Sequence, residues 1–357
     1  MALQRIDVQN ADPTQQAEAA ATAAAVIARG GLVVLPTETV YGLAADPRQP
    51  DQIARVQALK GRAAPQEFTH HLADARDAAR LGASLSPQAS RLAARYWPGP
   101  LTLIVATAAG PAIGLRVPAH PLTQAVIATC GPSLFLTSVN QSGSPPLVDP
   151  DAIAAAFGDD LDLLLDAGPP PLRVASTIVR CTGPALEVLR EGILTRAEIL
   201  DAAARHVLFV CTGNTCRSPM AEALARSLVA HRLGIEPDAV LAHGFGFASA
   251  GLYAADGEPA SEHAVAALAE AGLELQGHAS RSLDAEAVAR ADRIFCMTEG
   301  HRDRLLALAP DAAGKVQVLR RDGADIADPF GASLDRYRAA RDEIRAELEA
   351  RLSTLVS

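Results

Sequence analysis

Apolar residues in the first 200 positions form short runs separated by loops rich in proline and glycine. The alanine-rich segment 17–29 predicts a helix that the glycines at 30–31 close, and the apolar run 32–36 then predicts a short buried strand. Further strands are predicted at 101–106, 133–138 and 176–180. Their irregular spacing, with loops such as WPGP and SGSPP between them, indicates a mixed sheet.

The pattern changes near residue 200. The segment 195–205 predicts one amphipathic helix, and HVLFV at 206–210 then starts a strand without helical periodicity. We therefore predict two domains, 1–202 and 203–357. The second domain continues with a loop, two helices, the strand RIFCM, another helix and a final helix at about 333–355. This alternation is typical of an α/β fold with a parallel sheet and helices on both faces.

The composition agrees with two α/β domains in one chain. Its 357 residues are enough for two cores of ordinary size, and 49% are hydrophobic but only 4% aromatic, which suits helices on aliphatic strands. The net charge is -9, divided as -3 up to residue 200 (15 basic, 18 acidic) and -6 beyond it (17 basic, 23 acidic). Neither half has the basic excess of a general nucleic-acid binder.

The amino terminus and the cysteines indicate a cytoplasmic protein. The first residues lack the basic-then-apolar order of a signal peptide, and no apolar stretch reaches the roughly 18 residues of a membrane span, so no membrane association is expected. The cysteines are odd in number and have no paired CxxC metal spacing, so free thiols are expected, one of them reactive. They are Cys130, Cys181, Cys211, Cys216 and Cys296.

The nine residues CTGNTCRSP at 211–219 lie between an apolar strand and a helix. Backbone N–H groups at such a helix start converge on one anion site, and the same field favours a thiolate at Cys211. Arg217 returns to the mouth of this loop, where its planar guanidinium can bind two phosphoryl oxygens. Ser218 can donate a hydrogen bond to the sulfur. Asp328, in the proline-stiffened loop DPFG, is the general-acid candidate.

These segments resemble the low-molecular-weight protein tyrosine phosphatases over essentially all of 206–357. The resemblance rests on VCTGNTCRSPMAEAL, SAG at 249–251, GHASR at 277–281, ADRIFCMTEGH at 291–301 and ADPFGASLDRY at 327–337. It implies a doubly wound, four-stranded parallel sheet and a phosphocysteine intermediate on Cys211, with Arg217 holding the phosphoryl group. It also implies that Asp328 acts first as acid and then as base, without a metal. The supporting loop residues are Thr212, Gly213, Asn214, Thr215, Cys216 and Ser218.

Two residues of this loop bear on regulation and substrate. Cys216 occupies the family's second-cysteine position, so oxidation can pair it with Cys211 and protect the nucleophile. Thr215 stands where tyrosine-specific members carry isoleucine or leucine, and the chain is also similar to bacterial protein arginine phosphatases in CTGNTCRS and DPFG. Both phosphotyrosine and phosphoarginine in a phosphoprotein remain open as substrates. An enzyme of the arsenate reductase type is the weakest alternative. Such an enzyme needs resolving cysteines far along the chain, and only Cys296 lies beyond the loop.

The amino-terminal domain carries a different set of motifs. Hydroxyls and a carboxylate follow a strand at 36–43, and Lys60 and Arg62 follow a helix, so together they predict a polyanion site. PTETVYGL, LKGR, YWPGPLT, LRVPAHP, TSVNQSG, ASTI and LREG recur in this order in the YrdC family of threonylcarbamoyl-AMP synthases. That resemblance covers about 20–195 and implies a twisted mixed α/β sheet around a concave basic pocket.

The resemblance implies synthesis of threonylcarbamoyl-AMP from L-threonine, bicarbonate and ATP with Mg²⁺, toward threonylcarbamoyladenosine in tRNA. ATP would contact Lys60, Arg62, Ser138, Asn140 and Arg190. Threonine would be held by Thr37, His71, Arg116 and Ser176, with Arg116 suited to bidentate binding of its carboxylate. No metal site within the protein itself is implied. Partner proteins of tRNA modification are expected, and direct tRNA binding is left open.

The segment after KGR departs from the family pattern. The family usually has a proline after the arginine, and a lysine or asparagine followed by a proline before the next hydrophobic residue. This chain has AAPQEF there, and Glu67 brings negative charge toward the expected ATP site. A phosphatase joined to a non-catalytic nucleotide-binding or RNA-binding module is therefore the alternative to a bifunctional enzyme.

Overall fold

A computed structural model describes residues 3–61, 68–108, 110–275 and 277–356. The chain divides into two compact units, Met1–Ala203 and Ala204–Ser357, which are considered separately. No helix in the described ranges has both the length and the apolar character needed to cross a membrane.

The first unit alternates short strands with short helices. Its described strands are β1 (Gln4–Asp7), β2 (Val33–Leu35), β3 (Gly42–Ala45), β4 (Thr69–His71), β5 (Ala83–Ser84), β6 (Leu101–Thr107), β7 (Ile113–Arg116), β8 (Leu134–Ser138), β9 (Leu163–Asp166), β10 (Thr177–Arg180) and β11 (Glu187–Arg190). Its described α-helices are α1 (Pro13–Ala28), α2 (Pro50–Leu59), α3 (Pro87–Tyr96), α4 (Pro121–Cys130), α5 (Pro150–Phe157) and α6 (Arg196–Ala203), and a 3₁₀ helix spans Ala75–Leu81.

These strands form one mixed sheet, which confirms the prediction. The order is β1-β9-β2-β3-β8-β4-β7-β6-β10-β11, with β5 beside β6. Pairs such as β2–β9 are parallel, whereas β3–β8 and β6–β7 are antiparallel. Both faces are covered, because alternate residues of β2 belong to different cores: Val33 and Leu35 pack in one and Val34 in the other.

Local signals explain where helix α1 begins. The sequence predicts a start at residue 17, but the helix starts at Pro13. Asp12 accepts hydrogen bonds from the backbone N–H groups of Thr14 and Gln15, while the Gln15 side chain accepts from the Asp12 N–H. This capping box, with proline in the first turn, stabilises the extra turn of helix.

The second unit is a four-stranded parallel sheet with helices on both faces, as predicted. Its strands are β12 (Arg205–Cys211), β13 (Phe245–Gly251), β14 (Arg293–Cys296) and β15 (Val316–Val318), in the order β13-β12-β14-β15. Its α-helices are α7 (Arg217–Leu233), α8 (Glu262–Ala269), α9 (Ala285–Arg290), α10 (Glu299–Leu308), α11 (Leu334–Ala350) and α12 (Leu352–Val356), and 3₁₀ helices span Pro237–Ala239 and Pro310–Ala312.

The central strand β12 carries the loop of interest at its carboxyl end. Val207 and Phe209 pack in the core on one face of the sheet, and Leu208 and Val210 pack in the core on the other. Because β12 is buried on both faces, its end is held rigidly within the sheet. The final helix, predicted as continuous, is interrupted at Arg351, where α11 ends and α12 follows.

Candidate active sites

The loop between β12 and α7 wraps around the sulfur of Cys211. Cys211 is the last residue of the strand and Arg217 the first of the helix, so the loop lies at a helix amino terminus. The backbone N–H of Asn214 lies 3.3 Å from the Cys211 sulfur, and the Ser218 hydroxyl oxygen lies 3.0 Å from it. Two hydrogen-bonding groups and the amino terminus of α7 therefore converge on the Cys211 sulfur.

The side chain of Asn214 orients the Ser218 hydroxyl. Its Oδ1 accepts the backbone N–H of Arg281 at 2.8 Å, so its Nδ2 is the atom that donates to Ser218 Oγ at 2.9 Å. The Ser218 hydrogen is then available for the Cys211 sulfur. Asn214 itself has a left-handed backbone, with φ of 55°, which asparagine tolerates better than most residues. His278 Nε2 donates to the Asn214 carbonyl at 2.7 Å and holds this turn.

Arg217 and Asp328 face the same cavity as the sulfur. Arg217 Nη2 donates to Asp328 Oδ2 at 2.6 Å, and Nη1 donates to the Ile326 carbonyl at 2.9 Å. Arg217 Nε is buried and has no hydrogen-bond partner in the described chain, so a donor remains for a ligand oxygen. The Asp328 side chain is 48% exposed, against 4% for Arg217, so the carboxylate reaches the mouth while the guanidinium lies deeper.

The cavity over the loop has a volume of about 200 Å³. It is lined by Cys211, Thr212, Gly213, Thr215, Cys216, Arg217, Asp328 and Phe330. All three predicted catalytic residues are thus brought together, although Asp328 is far from the loop in sequence. Sequence reasoning did not single out Phe330, whose exposed ring follows the DP pair, or His301, whose Nε2 lies 2.8 Å from the Thr212 hydroxyl.

Cys216 lies on the cavity lining, and its sulfur contacts a partly buried polar cluster. Its sulfur is 3.3 Å from the Tyr337 hydroxyl, 3.5 Å from Ser261 Oγ and 3.6 Å from Thr215 Oγ1. Burial raises the pKa of Tyr337 to about 12, so its hydroxyl stays protonated near neutral pH. Cys296 is fully buried in β14, and burial raises its pKa to about 12. A thiol in that state is poorly suited to the resolving role that an arsenate reductase requires.

The first unit has its own polar cavity of about 210 Å³ between strands of the mixed sheet. Six predicted residues line it: Thr37, His71, Arg116, Ser138, Ser176 and Arg190. Lys60 and Asn140 lie next to Ser138 rather than on the lining. Lys60 Nζ donates to the Ser138 carbonyl at 2.6 Å and to Asn140 Oδ1 at 3.1 Å. Arg62 and Glu67 lie outside the described residues, whereas Phe68 lines the cavity.

Hydrogen bonding defines what His71 presents to a ligand. Burial, followed by the nearby Arg116, lowers the pKa of His71 to about 3, so the ring is neutral at pH 7. Its Nδ1 lies 3.1 Å from the Thr69 carbonyl, which can only accept, so Nδ1 carries the proton. Nε2 is therefore a lone-pair acceptor, suited to a ligand hydroxyl or ammonium group.

Arg116 is buried and already holds a carboxylate of the protein. Its Nη2 donates to Glu38 Oε1 at 2.5 Å and to Thr39 Oγ1 at 2.8 Å, and its Nε donates to the Gly99 carbonyl at 3.1 Å. Burial lowers the pKa of Arg116, and Glu38 opposes that shift. While these bonds hold, Arg116 cannot bind a ligand carboxylate in the bidentate manner that the sequence analysis expected. The sequence analysis noted the carboxylate of Glu38 but did not predict that it pairs with Arg116.

Arg190 and Ser176 form a second polar group on the lining. Arg190 donates through Nε and Nη2 to the Ser176 carbonyl at 3.1 and 2.8 Å. Ser176 Oγ lies 3.0 Å from Thr102 Oγ1, which the sequence did not single out. Burial, followed by the positive charge of Arg116, lowers the pKa of Arg190. Arg116 and Arg190 thus share one cavity, and because Glu38 balances the charge of Arg116, the positive charge that favours an anionic ligand lies with Arg190.

Known proteins match the two units separately. The Sua5/YciO/YrdC family model, described as "Telomere recombination", matches residues 25–192. The chain is 34% identical over 200 residues to a putative threonylcarbamoyl-AMP synthase of Mycobacterium tuberculosis, which covers 54% of this chain and 92% of that protein. A solved structure of Sua5 from P. abyssi, 24% identical with a TM-score of 0.51, covers 65% of this chain and 76% of its own, and supports the fold alone.

The second unit has equally extensive relatives. The family model described as "Low molecular weight phosphotyrosine protein phosphatase" matches residues 206–356. A protein-arginine-phosphatase of Geobacillus stearothermophilus is 42% identical over 148 residues, which are 40% of this chain and 90% of that protein. With the loop, the cavities and these matches together, the chain belongs to two enzyme families at once, the Sua5/YrdC family in its first unit and the low-molecular-weight phosphatase family in its second.

Proposed function

We propose that the second unit is a protein arginine phosphatase. The observation that carries this proposal is the position of Thr215, which lines the cavity together with Cys211 and Asp328. A hydroxyl oxygen accepts a hydrogen bond from a guanidinium N–H, whereas an aliphatic side chain there would pack on a phenyl ring. The relatives named protein-arginine-phosphatase support the same substrate.

The reaction proceeds in two displacements. The Cys211 thiolate attacks phosphorus, the phosphorus–nitrogen bond breaks, and Asp328 gives its proton to the leaving nitrogen. Incoming phosphoryl oxygens take over the donors of Arg217, which releases Asp328 from its ion pair so that it faces the leaving group. Water then attacks the phosphocysteine, Asp328 takes its proton, and orthophosphate leaves with the thiolate restored. These steps use side chains alone and need no cofactor.

We propose that the first unit makes L-threonylcarbamoyl-AMP, using ATP as its Mg²⁺ complex. Threonine nitrogen and bicarbonate give a carbamate with loss of water, and a carbamate oxygen attacks the α-phosphorus of ATP as diphosphate leaves. Arg116 and His71 would bind the threonine carboxylate and a polar hydrogen of threonine, while Arg190 and the Lys60–Ser138–Asn140 group would bind the nucleotide. The support is a cavity that two arginines and a neutral histidine line together.

Partners follow from these activities. We propose phosphoarginine-containing proteins as substrates of the second unit and tRNA-modification proteins as acceptors of the first unit's product. A reactive thiolate at Cys211 requires a reducing compartment, which supports a cytoplasmic location.

The phosphatase proposal is tested with phosphoarginine and phosphotyrosine peptides on the purified protein. Cys211→Ser serves as the blank and Thr215→Ile as the specificity variant. Phosphoarginine should be preferred, and Thr215→Ile should shift the ratio of kcat/KM values toward phosphotyrosine by about tenfold or more, the value of one hydrogen bond to a charged group. A phosphotyrosine preference that Thr215→Ile leaves unchanged would make this an ordinary tyrosine phosphatase.

The synthase proposal is tested by diphosphate release. Release should require L-threonine, bicarbonate and ATP together, and should persist in Cys211→Ser, which separates the two activities. If the nucleotide binds but no diphosphate is released, the first unit is a binding module rather than a synthase.

A further inference from the structure

Glu38 lies behind Arg116 rather than on the cavity wall. One carboxylate oxygen accepts Arg116 Nη2 at 2.5 Å, and the other accepts the backbone N–H of Ala119 at 2.9 Å. Arg116 lines the cavity, and Glu38 does not. The side chains of Arg116 and Glu38 are only 6% and 13% exposed, so the ion pair is largely screened from solvent. An interaction in such surroundings constrains geometry far more than a surface pair does.

The hydrogen bonds of Arg116 leave one nitrogen for a ligand. A guanidinium has five N–H groups: one on Nε and two on each terminal nitrogen. Nε is used by Gly99, and both hydrogens of Nη2 are used by Glu38 and Thr39. Nη1 makes no hydrogen bond with the described residues, and it is not among the buried atoms that lack a partner. It therefore has access to the cavity.

We infer that Glu38 is a positioning residue for the amino-acid site, holding Arg116 so that Nη1 alone meets the ligand carboxylate. This inference rests on the proposed synthase function. The carboxylate of threonine is then bound at one end, by the two N–H groups of Nη1. A turned guanidinium would present a different edge, and the carboxylate would lose its alignment with the lone pair of His71 Nε2, which lies on the same lining.

The Glu38 pair also sets the charge that the ligand meets. Glu38 offsets the charge of Arg116, so the pair is close to neutral as a unit and attracts a zwitterionic amino acid without holding a free anion strongly. Removal of the Glu38 charge should therefore weaken threonine binding through misalignment, while orthophosphate or chloride should compete better. Nucleotide contacts at Lys60 and Asn140 are not part of this hydrogen-bond group.

The test compares Glu38→Gln with Asp166→Asn in the full chain. Asp166 is a matched control, because it is a buried carboxylate that binds Arg5 at 2.6 Å in the same unit but does not line the cavity. Glu38→Gln keeps one acceptor for Arg116 and loses the charge. The KM for L-threonine in diphosphate release should rise about tenfold, while the KM for ATP stays within about twofold. Asp166→Asn should lower the melting temperature and leave both constants unchanged.

A second variant keeps the proposal testable if Glu38→Gln fails to fold. Thr39→Val removes the other acceptor of Nη2 without changing charge, and should raise the threonine KM about three- to fivefold in a folded protein. If folded Glu38→Gln has an unchanged threonine KM, or if both KM values rise equally, the positioning role is wrong. If the wild-type protein neither binds L-threonine in calorimetry nor releases diphosphate, the proposed synthase function fails and the inference fails with it.

Discussion

Substitution of Gly251 tests how closely the loop at 211–219 is packed. It is the last residue of β13, beside the carboxyl end of β12, and its backbone runs against the loop that follows Cys211. A methyl group added at Gly251 would lie 2.6 Å from the Thr212 carbonyl oxygen and 2.9 Å from the Asn214 nitrogen. Both are backbone atoms, so no side-chain rotation relieves the contacts.

The size of the effect follows from those distances. Ordinary contact begins at 3.4 Å, so the loop must move by about 0.8 Å to admit the methyl group of Gly251→Ala. A displacement near 1 Å at a reacting centre costs about 100-fold in rate. Overpacking of this kind also costs about 1–3 kcal/mol of stability, which a folded domain can tolerate.

The assay is steady-state hydrolysis of p-nitrophenyl phosphate, which does not depend on the choice between phosphoarginine and phosphotyrosine. Gly251→Ala should lower kcat/KM by about 100-fold while the protein remains folded by circular dichroism. Gly314→Ala is the control, because nothing lies within 4 Å of its added methyl group and its backbone is not left-handed. Wild-type kcat/KM in folded Gly251→Ala would refute the claim that the loop is fixed by this strand.

Three other predictions follow from single contacts. Ser218→Ala removes a hydrogen-bonding partner from the Cys211 sulfur and should slow iodoacetamide alkylation of Cys211 at pH 6 about tenfold, which mass spectrometry measures; equal rates would contradict a role for this hydrogen bond in the reactivity of Cys211. Burial lowers the pKa of His71 to about 3, whereas the pKa of an unfolded histidine is near 6.5. Between these two pH values the unfolded state binds more protons than the folded state, so the first unit should lose stability as the pH falls from about 6.5 to about 3. Urea unfolding at several pH values should give a smaller loss for His71→Asn, and an identical loss would contradict the assignment. The wild-type protein should not reduce arsenate, and Cys296→Ala should leave its phosphatase activity unchanged. An arsenate-reducing activity that is present in the wild type and lost in Cys296→Ala would support the redox alternative.

Helix and strand patterns in the sequence predicted many of the elements, but they did not predict strands that are short or rich in small residues. β12 is a run of large apolar residues and was predicted within one residue at each end. β13 has the sequence FGFASAG, whose small residues give no strong strand signal, yet it pairs with β12 over seven positions. Its pairing partner stabilises it as a strand, and that partner is 34 or more residues away in sequence.

Local sequence was enough to predict the chemistry of the loop at 211–219, because Cys211, Asn214, Arg217 and Ser218 lie within one short segment and a strand-to-helix turn is a local structure. Which distant groups complete each site depended on the tertiary fold. Asp328 reaches Arg217 across 111 positions, and Glu38 reaches Arg116 across 78. Such pairs depend on sheet order and register, which no local pattern contains. In the same way, the family resemblance predicted that Arg116 binds a carboxylate, whereas the fold determined that Nη1 is the nitrogen of Arg116 with no hydrogen bond to the described residues.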